Sequence, residues 1–199
     1  MVPFIPPEAA TILDVGCSRG LFGATLRRAN PGWRLVGIEP DPDTAAGADA
    51  GSSYERVICG SFPDDLPDAE NFDCIVFNDV LEHVIDPWDM LRRTQDHLAV
   101  GGVVVASIPN VRFVAVVRDL LLRGRWDYAD YGVLDRTHLR FFTRRSIYDL
   151  FASSGFTVDS LTPINPLTVR WASLLIGRFR DMRYLQFAVV AHRAGSADS

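Results

Sequence analysis

The stretch Thr11-Ile-Leu-Asp-Val-Gly-Cys-Ser-Arg-Gly-Leu-Phe-Gly23 decides how the rest of the chain reads. Ile12, Leu13 and Val15 form the short apolar run that a central parallel strand needs when both its faces are covered, and Asp14 sets a carboxylate near the strand's carboxyl end. Gly16 and Gly20 let the backbone turn sharply and approach a ligand with no Cβ in the way. The helix expected from Leu21 presents unpaired N–H groups at its start. Strand, glycine turn and helix together read as a cofactor cradle.

Outward from the cradle, strand and helix signals alternate. Leu21 to Ala29 reads as a helix stopped by Asn30-Pro31-Gly32, and Arg34 to Glu39 as the second strand. Glu39 ends that strand about 20 residues beyond the glycine turn, where an open α/β site holds the two hydroxyls of an adenosine ribose. A short helix follows around Thr44 to Ala50. Further strands are expected at Arg56 to Gly60, Phe72 to Asn78, Val103 to Ile108, Phe156 to Leu161 and Tyr184 to His192. Asp86 and Pro87 start a helix on which Trp88, Leu91 and Leu98 share a face until Gly101-Gly102. A helical segment is expected over Val111 to Arg123, a helix capped by Thr143 carries Ile147, Leu150 and Phe151 on one face, and an apolar-basic helix lies near Pro166 to Gly177. The alternation predicts one α/β sheet covered on both sides.

With 199 residues, 48% of them hydrophobic, the chain fits one domain with a sizeable core, and neither disorder nor a second domain is expected. No apolar run approaches the roughly 20 residues that span a bilayer, and Met1 to Pro7 has no leader-like pattern, so a cytoplasmic protein is expected. Cys17, Cys59 and Cys74 form no Cys-x-x-Cys pair and read as reduced thiols. The net charge of −5 hides an asymmetry, acids dominating the first half and arginine the second, with no lysine anywhere. The arginines read as a solvated surface or as attraction for an anionic or membrane-bound substrate. A nucleic-acid partner is not expected.

Asp14-Val-Gly-Cys-Ser-Arg-Gly20 resembles the first motif of class I S-adenosylmethionine-dependent methyltransferases, hydrophobic-Asp-x-Gly-x-Gly-x-Gly, with Ser18 at the second glycine. The same Ser18 breaks the Gly-x-Gly-x-x-Gly fingerprint of nicotinamide oxidoreductases. Asn78-Asp-Val-Leu-Glu-His-Val-Ile-Asp-Pro87 resembles the motif after the fourth strand in small-molecule methyltransferases of the ubiquinone-biosynthesis type. The Asp/Asn-Pro-Pro-Tyr/Phe of nucleobase amino-methyltransferases is absent there, so oxygen is the expected acceptor. Leu134-Asp-Arg-Thr-His-Leu-Arg-Phe-Phe-Thr143 resembles a segment of bacterial methyltransferases that accompany glycan-assembly enzymes. The matching motifs cover about residues 11 to 160.

The resemblance implies a Rossmann-like, seven-stranded, mostly parallel sheet with helices on both faces and its last strand antiparallel. It also implies S-adenosylmethionine as cofactor and O-methylation of a hydroxyl on a small-molecule or saccharide acceptor, which would be lipid-linked if the enzyme is membrane-peripheral. Asp14, Gly16, Ser18, Gly20, Glu39 and Pro40 would hold the amino-acid and ribose parts of the cofactor. Ser61 and Phe62 would meet the adenine, and Asn78 would line the methyl-transfer face. The expected organisation is a single domain over 1–199 with a substrate-covering insertion around 110–142. Two departures favour a rival reading as a catalytically degenerate binding or scaffold subunit. Ser61 stands where the family often has an adenine-binding Asp. The ten residues before the first strand, with Pro3, Pro6 and Pro7, cannot form much of a lid, so the cover would come from 110–140 or from a second subunit, making a homodimer an expectation.

A hydroxyl acceptor must lose a proton, and histidine, with an ordinary pKa near ~6.5, suits that task. His138 and His83 are the candidate bases, and Asp135 would orient His138 or pair with Arg136 or Arg140. Tyr128 and Tyr131 read as packing or substrate contacts. No metal site is expected: of His83, Asp86 and Asp89, Asp86 reads as a helix cap and Asp89 as part of a solvated face. Phe113, Val114, Val117, Leu120 and Leu121 read as the core-facing side of a helix, with peripheral contact to a lipid-linked acceptor as the other reading.

Overall fold

The computed structural model describes residues 1–51, 53–168 and 177–195. Seven strands form one sheet: β1 (Thr11–Val15), β2 (Arg34–Glu39), β3 (Arg56–Cys59), β4 (Phe72–Asn78), β5 (Leu98–Pro109), β6 (Phe156–Pro166) and β7 (Tyr184–Arg193). Their order is β3-β2-β1-β4-β5-β7-β6, parallel except that β7 runs antiparallel to both its neighbours. The expected Rossmann-like architecture with an antiparallel last strand is therefore present.

Alternation along the strands divides the core. Leu13, Val15, Ile75, Phe77, Val104 and Ala106 point to one face, while Ile12, Cys74, Val76 and Val105 point to the other. Among the described residues five α-helices surround the sheet: α1 (Leu21–Ala29), α2 (Pro42–Ala50), α3 (Pro87–Thr94), α4 (Val114–Arg123) and α5 (Arg144–Ser153). Asp41 caps α2, accepting the Thr44 N–H at 2.9 Å, so that helix begins two residues before the sequence suggests. Asp86 caps α3 in the same way through the Asp89 N–H.

Two expectations about boundaries need correction. Leu98 does not continue the helix; it opens β5 opposite Phe72, and Gly101-Gly102 sits in an irregular part of that strand. Gly101 has φ +75°, and a Cβ on Gly102 would lie 2.9 Å from the Phe72 carbonyl oxygen, so this glycine pair permits a close strand approach and does not end a helix. β6 extends through Pro166, five residues past Leu161, because β7 pairs with it as far as Tyr184. The remainder of the helix expected before Gly177, residues 169–176, lies outside the described residues.

After β3 the chain crosses back to place β4 beside β1. The sheet therefore has its topological switch between β1 and β4, and an open α/β sheet binds its ligand in the crevice outside the carboxyl ends of strands at such a point. The glycine turn, the end of β4 and the segment between β5 and α5 all meet there.

Candidate active site

The cradle is closed by its own backbone. Gly16 and Cys17 donate N–H groups to the Ile38 carbonyl at 2.9 and 3.2 Å, tying the turn to β2. Gly16, Ser18 and Gly20 all have positive φ, +69°, +48° and +79°. A Cβ on Gly16 would sit 2.9 Å from Val80 Cγ2, so only glycine fits between the turn and the segment leaving β4. Gly20 precedes α1 with no side-chain cap, so the Leu21 and Phe22 amides at its start are available to a carboxylate, while the Gly23 amide is taken by Tyr54.

Glu39, at the end of β2, accepts the Ser18 N–H on Oε2 at 3.0 Å and the Asp41 N–H on Oε1 at 3.2 Å. Both oxygens are held at the crevice, each with lone-pair capacity for a ribose hydroxyl. Pro40 is exposed beside it. Asp14 plays a different part from the one expected: it is 2% exposed and lies beneath the turn, accepting the Tyr54 O–H at 2.5 Å. Tyr54 in turn accepts the Gly23 N–H at 3.1 Å, linking β1, the α2–β3 connection and α1. Burial pushes the Asp14 carboxyl up to about 7 against the lowering effect of the Tyr54 hydrogen bond, with Glu39 raising it further.

At the adenine side, Ser61 is exposed and its N–H donates to Asp65 Oδ2 at 2.7 Å. Phe62 does not face the crevice. Its ring is buried against Phe77, edge-on at 5.7 Å between centroids, and against His97. The loop doubles back through the Asp65 N–H to the Ser61 carbonyl at 2.9 Å, which delivers the apolar ring to the core. Ser61 and Asp65 remain to meet a base edge.

At the end of β4, Asn78 Oδ1 and Asp79 Oδ1 accept the Ser107 hydroxyl at 3.0 and 2.9 Å, and Gln186 Nε2 donates to Asp79 Oδ1 at 2.6 Å. Asp79 itself has φ +57°. These contacts fix the strand end beside a cavity of about 210 Å³, into which the chain brings Glu82, His83 and His138. The 110–142 segment reaches this place because Leu139 and Arg140 donate backbone N–H groups to the Glu82 carbonyl at 2.8 and 3.0 Å. Arg140 also donates from its guanidinium to the Ile85 carbonyl, so it clamps the segment.

His138 is buried, its Nδ1 3.0 Å from the Val133 carbonyl oxygen, and His83 Nδ1 lies 3.2 Å from the Thr137 carbonyl oxygen. Because a carbonyl only accepts, both Nδ1 atoms carry the proton in the neutral rings, leaving each Nε2 as an acceptor. The two rings meet edge to face at 4.7 Å between centroids. Burial and the neighbouring His138 hold the His83 pKa below its ordinary value. Asp135 does not orient His138: its Oδ1 accepts the Thr137 N–H and O–H at 2.8 and 2.6 Å, a local turn that leaves it serving the loop.

Glu82 is the candidate site residue that sequence reasoning missed. It is 1% exposed, its two carboxylate oxygens have no hydrogen-bond partner among the described residues, and Oε1 lies 4.0 Å from His138 Nε2. Burial pushes its carboxyl up to about 8. The one signal for it was its place between Leu81 and His83 in the motif after β4.

With this geometry in hand, similarity to known proteins is informative. A family model described as a methyltransferase domain matches residues 2–161. An uncharacterized methyltransferase of Mycobacterium sp. (strain JLS) is 40% identical over 108 residues, 51% of this chain and 39% of that protein. The chain thus spans about two fifths of the length of such mycobacterial relatives. A ubiquinone biosynthesis O-methyltransferase of Methylobacterium nodulans is 28% identical over 183 residues, covering 84% of this chain and 69% of its own. Among solved structures, an O-methyltransferase from neocarzinostatin biosynthesis, in complex with S-adenosylmethionine and 2-hydroxy-5-methyl naphthoic acid, superposes with a TM-score of 0.62 at 19% identity. That superposition covers 92% of this chain and 49% of the other. The glycine cradle, the switch-point crevice and the family match agree, and the chain belongs to the methyltransferase-domain family.

Proposed function

We propose that this protein is an S-adenosylmethionine-dependent O-methyltransferase acting on a hydroxyl of a small-molecule or saccharide acceptor. The observation that carries the reading is the meeting of two sites at one sheet edge: the cradle of Gly16, Ser18, Gly20 and Glu39, and the cavity that holds Glu82, His83 and His138. The cradle fits the cofactor: Glu39 offers two fixed oxygens to the ribose, the Leu21 and Phe22 amides at the start of α1 are available to the carboxylate, and Gly16 leaves the room that a Cβ would fill. When bound, the cofactor supplies an electrophilic methyl group on a sulfonium centre.

What the chain's own residues do follows from their positions. His138, fixed by its Nδ1–H to the Val133 carbonyl, presents an Nε2 lone pair to the cavity and takes the acceptor's hydroxyl proton. Glu82 places a carboxyl oxygen 4.0 Å from that nitrogen, within reach of the imidazolium that results. Holding the acceptor oxygen in line with the methyl carbon accounts for much of the rate, since an oriented encounter removes the entropic cost of a bimolecular displacement. Beyond Tyr131, Val133 and Leu185 the cavity adjoins a second one of about 250 Å³ beside α4, lined by Phe113, Val116 and Leu134 and also by Asp119, Arg125 and Asp127, which supports an acceptor that extends past its hydroxyl into apolar and charged contacts.

The test is transfer of labelled methyl from S-adenosylmethionine to a panel of phenol and sugar acceptors. His138→Ala is expected to bind S-adenosylhomocysteine like the parent while losing about 10²-fold or more in turnover. Full turnover in that variant removes His138 as the proton acceptor, and no transfer to any acceptor by the parent favours the scaffold reading.

A further inference from the structure

We infer that the cavity between α5 and the β6–β7 pair is a binding site for an organic phosphate ester, separate from the methyl-transfer site. The inference stands on that cavity's own lining and does not depend on the roles given to Glu82, His83 and His138.

The cavity holds about 930 Å³, within the ~300–1,000 Å³ range of small-molecule sites. Its lining draws arginines from three parts of the chain that are distant in sequence. Arg112 follows β5, Arg144 and Arg145 open α5, and Arg180 belongs to the 3₁₀ stretch Gly177–Arg183 before β7. Against these four guanidinium groups the lining sets two carboxylates, Asp149 and Asp181. Asp181 pairs with Arg112 at 2.8 Å, and Asp149 lies 3.8 Å from Arg145. Arg144 and Arg180 have no ion pair among the described residues. The lining therefore keeps an excess of two positive charges, in a chain whose net charge is −5. A concave wall of one sign concentrates ligands of the other. The positive end of the α5 dipole adds to the field, since Arg144 and Arg145 are the first two residues of that helix.

The charge excess selects a dianion over a monoanion, and guanidinium forks match the oxygen pairs of a phosphate. A phosphate ester carries nearly two charges on three terminal oxygens, so more than one arginine can hold it at once. The rest of the lining fits the organic part: Leu161 on β6, Phe187 on β7, and the amphipathic rings of Tyr148 and Tyr184. A bare inorganic ion would leave that surface unused. Asn110 holds part of the wall in place. It is fully buried, donates from Nδ2 to the Asp181 and Tyr184 carbonyls at 3.0 Å each, and accepts the Arg112 N–H on Oδ1 at 3.0 Å. Arg112 and Tyr184 line this cavity, whereas their neighbours Phe113 and Leu185 line the one beside the acceptor site. The two cavities thus stand back to back across one pinned turn.

The experiment is calorimetric titration of the full chain with phenyl phosphate, inorganic phosphate and phenol, repeated for phenyl phosphate with S-adenosylhomocysteine present. One equivalent of phenyl phosphate is expected to bind, inorganic phosphate several-fold more weakly, and phenol not measurably. Arg144→Gln and Arg180→Gln should each weaken phenyl phosphate about tenfold or more, the cost of one charged hydrogen-bonding partner. Both side chains are exposed, so neither substitution threatens the fold. Arg28→Gln, at an exposed arginine of α1 outside the cavity, should leave binding unchanged. No binding of phenyl phosphate, or binding that persists unweakened in both cavity variants, overturns the inference. So does inorganic phosphate binding as tightly as the ester, which would leave the organic part unrecognised. Displacement by S-adenosylhomocysteine also overturns it, by placing the ester in the cofactor cradle.

Discussion

Asp14 is a carboxylate with almost no water beside it, and that fact has a measurable consequence. Its pKa is about 7 in the folded chain against an ordinary 3.8, because burial disfavours the charged form. Between those values the folded state holds a proton that the unfolded state has released. Stability therefore falls as pH rises from about 4 to about 7 and stays reduced above, at up to ~1.4 kcal/mol per pKa unit. Asp14→Asn keeps an oxygen for the Tyr54 hydroxyl and removes the titration, so urea unfolding at pH 5 and pH 8 should show a smaller difference in the variant than in the parent. Equal differences would show that Asp14 does not titrate in this window. The glycine turn at Gly16 and Gly20 and the strand-end place of Glu39 were readable from spacing because backbone turns and strand ends leave local signatures. Tyr54 and Glu82 were not: their burial is created by partners 40 and more residues away, Asp14 for the first and the 137–140 backbone for the second. Phe62 misled for the opposite reason, since an aromatic in a loop after a strand has the same local look whether it stacks on a ligand or fills a core.

The elements that sequence placed well are those with local caps. Thr143 and Ser146 form a reciprocal box at the start of α5, Ser146 Oγ accepting the Thr143 N–H at 2.9 Å and Thr143 Oγ1 accepting the Ser146 N–H at 3.2 Å. Thr143→Ala should cost about 1 kcal/mol in urea unfolding and Thr143→Ser very little; an unchanged midpoint in the alanine variant would mean the box adds nothing. Loss of α5's start would also loosen the Phe142 bridge to Asn110, which closes the segment carrying His138. Elements without local punctuation were harder. The Leu98 boundary depended on whether β5 paired with Phe72, a tertiary choice. α4 has apolar spacing, yet none of its residues is fully buried. Its Ala115 and Val116 line the cavity beside the proposed acceptor site, so the same spacing served a cavity wall in place of a core face.

At the scale of the molecule, strand order turns a list of motifs into a site. The switch between β1 and β4 sets the glycine turn, Glu39 and the Asn78–His83 segment around one crevice, and the excursion between β5 and α5 completes it with His138. Sequence alternation indicated the sheet but not the fold of that excursion, whose position depends on two amides meeting the Glu82 carbonyl. Among the described residues no helix is long and apolar enough to cross a membrane. The most direct measurement is calorimetric titration of the protein with S-adenosylmethionine and S-adenosylhomocysteine, with NAD as control and Glu39→Ala alongside. The account predicts 1:1 binding of both sulfur compounds at micromolar Kd, about −8 kcal/mol at ~1 μM, no binding of NAD, and at least a tenfold loss in Glu39→Ala. Binding of NAD alone, or of none of the three, would contradict it.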